Sequence, residues 1–244
     1  MRSLSRSKRK SIDEENPYWM SFSDVMAGLL VLFILAAAAL LVQLMEKNQK
    51  INETIVEAQQ TRKIFLLDLQ RKLKKIGVYV EVVENYTVLR IPEEQLSFEQ
   101  GSSKIPDTHR QNLAHIGKAV NRLLNENSKS EKFFDTIFVE GHTDTVPFKR
   151  YQGFDDGNWP LSAERAIRVW EFWNLLEVTD EGLKNKLNYK GAPLFSVSGY
   201  AGSRPAFSEE NHPENRSKNR RIDIRVTIRH ISETDLEDIG GIIE

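Results

Sequence analysis

Cysteine is absent from this chain, which excludes disulfides and thiolate metal sites and suits a domain exported to an oxidising compartment. A surplus of either charge is lacking too. The 34 Lys and Arg against 35 Asp and Glu leave a net charge of −1, so nothing draws a polyanion and no direct nucleic-acid partner is expected. The five histidines, His109, His115, His142, His212 and His230, are scattered, with no His-Glu-x-x-His. No metal or cofactor is therefore expected, and His142 reads as a loop-stabilising residue. No Gly-x-Ser-x-Gly elbow occurs, and a Ser-x-x-Lys spacing falls in the N-terminal tail, at Ser5 to Lys8. The chain is expected not to be an enzyme.

What the sequence does have is one long apolar run. From Val25 to Met45 there are 21 residues without a charge, about 30 Å of helix and so the thickness of a bilayer's hydrocarbon core. Residues 18–45 are expected to form a single transmembrane helix after a polar tail at 1–17. Arg2, Arg6, Lys8, Arg9 and Lys10 precede it, whereas Lys47 and Lys50 follow it, which puts the N-terminus in the cytoplasm and the bulk of the chain in the periplasm of a bacterium. A cleaved signal peptide imitates such a start, but this run is too long for one, and Leu40, Leu41 and Val42 follow the alanines where a polar mature start belongs. Asp24 stands at the leading edge. A carboxylate there costs on the order of 2.5–3.5 kcal/mol at mid-depth and less near an interface. Either it snorkels or caps the helix, or a proton or cation offsets that cost.

The remainder divides by period. Residues 46–77 carry Ile51, Ile55, Ala58, Phe65, Leu69 and Ile76 on a near 4-3 seam, fitting a dimeric coiled coil or an amphipathic helix lying on the domain, with Gly77 as its stop. From Val78 the period becomes two, and VYVEVV and TVLRIP read as a hairpin or as successive strands. A helix through Leu113, Ile116, Ala119, Val120 and Leu123 follows. Next come a buried strand FFDTIFVEGH, a helix from Leu161 with Ser162 as N-cap, a strand FSVSGY, a polar loop from Ala201 to Asn219, and the alternating RRIDIRVTIR. Residues 78–230 are expected to form one α+β sandwich, with an acidic tail at 231–244.

Polar residues concentrate in VEGHTDTVPFKRYQGFDDGNWPLSAERA, residues 139–166. Gly141-His142-Thr143-Asp144 at a strand end, Asn158 with Leu161-Ser162 and Arg165-Ala166 opening a helix, Gly199-Tyr200 after a strand, and Asn219-Arg220-Arg221 before the last one resemble the OmpA-like peptidoglycan-binding domain. The insert between Asp144 and Asn158, and the single N-terminal pass bearing one aspartate, resemble the version in MotB-like stator B subunits. The stretch FSDVMAGLLVLFI is most similar to the B subunits of Zorya anti-phage systems.

The resemblance implies a site for the diaminopimelate of the peptidoglycan stem peptide. Asp144 matches the position taking the ammonium, Arg165 the position gripping the carboxylate, and Asn158 and Leu161 positions lining the same pocket, with Thr143 and Arg221 as further possible contacts. A plain Asp144–Arg165 salt bridge closing the loop is the simpler alternative. The resemblance further implies that the chain dimerises inside a ring of multi-helix A subunits. Asp24 would then carry the transported ion, a proton for want of further oxygen ligands on this helix. The same machine could serve a flagellum, and a passive wall tether would need no ion relay.

Overall fold

A computed structural model describes residues 17–99, 101–149, 156–175, 182–210, 212–231 and 235. The chain divides into two units, Met1–Lys50 and Ile51–Glu244. Helix α1, Pro17–Lys74, runs through both. In the first unit its apolar side chains are bare, Leu32 at 64% and Phe33 at 74% exposure. By length and composition the helix is long and apolar enough to cross a membrane. Asp24 lies on it, also exposed.

In the second unit the same helix becomes part of the core. Ala58, Phe65, Leu66, Leu69 and Leu73 are buried, and Phe65 meets Phe134 edge-on at 5.2 Å between ring centroids. Of the two forms open to this segment, residues 58–73 take the amphipathic one, packed on the domain. The seam does not reach Ile76, which is 53% exposed, because the helix has already ended. Gly77, at φ 81°, closes a Schellman turn in which the Gly77 N–H bonds Lys74 O at 3.2 Å and the Val78 N–H bonds Leu73 O at 3.0 Å.

The sheet has the order β1-β2-β5-β3-β4, with β1 Glu81–Val83, β2 Val88–Ile91, β3 Phe134–Gly141, β4 Phe195–Gly199 and β5 Ile222–Ile228. The first two strands are a hairpin whose turn holds Glu84, Asn85 and Tyr86 at positive φ. β3 and β4 run parallel, and β5 is antiparallel to both of its neighbours, β2 and β3. Helices α2 (Asp107–Glu126), α3 (Ser128–Phe133), α4 (Asn158–Leu175) and α5 (Pro213–Asn219) complete the domain, with a short 3-10 turn at Leu183–Asn185.

Cross-strand pairing sorts the two faces of the sheet. Leu89, Ile224 and Val139 lie side by side on the hydrophobic face, as do Ile91 and Ile222, and these join α1, α2 and α4 in one core. The opposite face carries Arg90, Asp223 and Glu140 in a row.

Two local expectations are corrected, and one helix is added. Ser162 is not an N-cap: α4 begins at Asn158, where the Asp156 carboxylate accepts the Asn158 N–H at 2.9 Å. Ser162 instead donates to Trp159 O and accepts from the Ala201 N–H. The stretch from Ala201 to Asn219 contains α5, and α3 precedes β3.

Candidate functional site

The site lies where β3 and β4 end, β5 begins, and the first turns of α4 come down on the sheet. Such contact needs a strand end without side chains. A Cβ on Gly141 would sit 1.9 Å from the Ser162 carbonyl oxygen, and one on Gly199 would sit 2.4 Å from the Ala163 nitrogen. The backbone beyond Gly141 is then fixed by His142 N–H to Arg221 O and Thr143 N–H to Ala201 O, which aims Thr143 and Asp144 at the start of α4.

A cavity of about 410 Å³ opens there. Thr143, Asp144, Asn158, Leu161 and Arg165 all line it, together with Phe98 and Phe148, Arg216 and Arg220. The structure thus brings five of the sequence-derived candidates to one wall. Arg165 is 2% exposed; its Nε donates to Ser102 O at 3.0 Å and its Nη2 to Glu99 O at 3.2 Å, with its guanidinium 4.9 Å from the Phe98 ring centre. These contacts point the side chain along the pocket floor. Asn158 braces the insert by donating to Val146 O at 2.8 Å. Asp144 accepts from the Val146 N–H at 3.2 Å and from Arg220 Nη1 at 2.9 Å, so the ion pair that closes this loop is made with Arg220.

Arg221 does not line this cavity. It is buried under the sheet, bonding Asp223 at 2.9 Å and the carbonyls of Asn219 and Arg204, and it is Arg220 that faces the cavity. Asn219 is occupied in shaping the loop, accepting from the Ala206 and Phe207 N–H groups.

Behind the pocket, His142 comes close to two carboxylates, with Nε2 3.6 Å from Asp223 and 3.9 Å from Glu140. The three could in principle hold a metal, an arrangement that sequence spacing missed because Asp223 arrives on β5. Guanidiniums already occupy the acids, however. Asp223 takes Arg90 and Arg221, and Glu140 takes Arg225 at 2.8 Å. Glu140 Oε2 and both His142 ring nitrogens have no hydrogen-bond partner among the described residues, but a dication there would meet the charges of Arg90, Arg221 and Arg225 with only two carboxylates to balance them, so the donor set does not fit one.

Burial and the neighbouring Arg221, Arg90 and Arg225 push the His142 pKa down from 6.5 to about 2, and the neutral ring stacks on Tyr200 at 5.4 Å. The unfolded chain therefore binds a proton below pH 6.5 that the folded chain refuses. Stability should be full above pH 6.5 and fall by roughly 1.4 kcal/mol per unit as pH drops below it. Chemical denaturation of wild type and His142→Gln between pH 7 and 5 checks this, since the variant should lose the slope.

The OmpA family's sequence profile matches residues 97–220, a little over half of the chain and a span that holds every pocket residue named above. The chain belongs to the OmpA family. Over 229 residues it is 27% identical to the Zorya protein ZorB of Escherichia coli O139:H28, covering 90% of this chain and 83% of that protein. It is 31% identical to Motility protein B of Bacillus subtilis over 144 residues, 59% of this chain and 46% of that protein. Among solved structures, a MotB-like protein from Desulfovibrio vulgaris superposes with a TM-score of 0.50 at 20% identity, covering 71% of this chain and 98% of that one. This likeness shows a shared fold. The chain is therefore MotB-like in architecture, with an apolar N-terminal helix ahead of an OmpA-family domain.

Proposed function

We propose that the chain is the peptidoglycan-anchored B subunit of an ion-driven stator in the bacterial inner membrane, serving anti-phage defence of the Zorya type. The observation that carries this reading is the convergence of Asp144, Arg165, Asn158 and Leu161 on one cavity in a chain that also presents Asp24 on an apolar helix. An anchor of this kind binds without turnover. The diaminopimelate of a stem peptide offers an ammonium to Asp144 and a carboxylate to Arg165, whose planar fork of donors matches a carboxylate.

The helix would cross the membrane once, N-terminus inside, in a dimer surrounded by multi-helix A subunits. Asp24 would take a proton from one side and release it to the other, with its changing charge moving the partner ring. The span of the likeness to ZorB, which includes the apolar helix, supports the defence role over a flagellar one.

Cosedimentation of the full chain, in detergent, with diaminopimelate-type cell-wall sacculi tests the anchor. Wild type should pellet, and Asp144→Ala and Arg165→Ala should each weaken binding at least tenfold, in line with loss of a charge-assisted contact of about 1.5–3 kcal/mol. Equal pelleting of all three would refute the assignment.

A further inference from the structure

In the unliganded domain the acid assigned to the ligand's ammonium is already in use. Asp144 Oδ2 holds Arg220 Nη1 at 2.9 Å while Oδ1 accepts a backbone N–H, so an arriving ammonium competes with a guanidinium. That guanidinium has a second arm. Arg220 Nη2 donates to Glu93 Oε1 at 3.0 Å. Glu93 sits in the turn after β2, outside the cavity wall, and its other oxygen is bonded by the Ser217 hydroxyl. Ser217 belongs to α5, the helix that ends just before Arg220, so the alternative acceptor is fastened to the segment that carries the arginine.

All three groups are shielded, with side-chain exposures of 33% for Arg220, 13% for Asp144 and 20% for Glu93. Burial alone would lower the Arg220 pKa, yet its hydrogen bonds to the two acids outweigh burial and raise it. Among the described residues the cavity is lined by three arginines, Arg165, Arg216 and Arg220, and by the carboxylate of Asp144.

We propose that Arg220 guards Asp144 and sets the specificity of the site: the ligand's ammonium takes over Asp144, and Arg220, still tethered to Glu93, turns its freed arm to the carboxylate that comes with it. A ligand end carrying an ammonium alone breaks the Arg220–Asp144 pair and returns nothing to Arg220. A zwitterionic end restores the balance. This rests on the stem-peptide reading above and adds to it two residues, Arg220 and Glu93, that act on selectivity.

Calorimetric titration of the full chain in detergent with two probes tests it: the tripeptide L-Ala-γ-D-Glu-meso-diaminopimelate, and its lysine counterpart, which lacks only the distal carboxylate. Wild type should prefer the first by more than tenfold. Arg220→Gln should shrink that preference by raising affinity for the lysine peptide. Glu93→Gln should weaken both peptides several-fold, because Arg220 then belongs to Asp144 alone. The double variant should behave as Arg220→Gln does, since Glu93 acts through Arg220.

In Arg220→Gln a merely structural role would lower both affinities together and leave the ratio unchanged; that result in Arg220→Gln, or an unaltered Glu93→Gln, overturns the proposal. Wild type binding neither peptide would instead overturn the stem-peptide reading itself. Should Arg220→Gln fail to fold, Arg220→Lys keeps the charge without the two-armed fork and should also lower the ratio; an unchanged ratio there counts against the guard.

Discussion

Replacing Asp24 by Asn is expected to abolish ion flux and phage protection while leaving abundance, membrane insertion and wall binding as they are. Asn has the same size and hydrogen-bonding reach but cannot exchange a proton, and it sits one residue ahead of the uncharged run from Val25 to Met45. If the carboxylate merely snorkelled to the interface, its replacement by a neutral amide would be mild or slightly favourable for insertion. The two accounts therefore diverge by the whole of the activity. Proton uptake by vesicles carrying the chain with its A partner, and plaque counts on cells expressing the pair, read the difference. Retained protection in Asp24→Asn would identify a passive tether.

The second large effect is expected from a single methyl group. In Gly141→Ala the new Cβ meets the Ser162 carbonyl oxygen at 1.9 Å, and a main-chain contact cannot yield as a flexible side chain does. The strain should cost about 3 kcal/mol or more, at the upper end of overpacking effects. Relief requires α4 to lift from β3, which separates Asn158, Leu161 and Arg165 on the helix from Thr143 and Asp144 on the strand end. Binding should fail even where the domain still folds. Gly182→Ala, with nothing within 4 Å of the added carbon, is the control and should change stability by no more than about 0.5 kcal/mol. Denaturant midpoints for the two variants check the contrast.

Much of the architecture was legible because hydrophobic period reports burial. The 21-residue uncharged run, the alternation of Ile222, Ile224 and Val226, and the glycine at 77 read as an apolar helix, a strand with one buried face and a helix stop, and the structure has each of them. The misses have physical causes as well. Helix α5, PENRSKN, is short and polar throughout, so no apolar stripe announces it. A serine one residue into LSAERA has the side chain of an N-cap, yet α4 starts four residues before it at Asn158, because proline at 160 is tolerated in a helix's first turn, where its missing N–H has no partner to lose.

The choice between Arg220 and Arg221 turned on parity. Arg221 shares a face with Asp223 two residues on, and so goes under the sheet, while Arg220 is left to the cavity. No pattern in the chain reveals that register before β5 is placed between β2 and β3. The neighbours of His142 were hidden for the same reason, since Glu140 is near in sequence but Asp223 is near only in the fold.

The central claim is that the cavity grips the two charged groups at the end of a diaminopimelate side chain, one with each half of the site. A crystal structure of the domain-bearing chain soaked with meso-diaminopimelate measures this most directly. The account expects the ammonium within about 3 Å of the Asp144 carboxylate and the carboxylate within about 3 Å of the Arg165 guanidinium. An empty cavity at saturating ligand, or density at another surface, would contradict it.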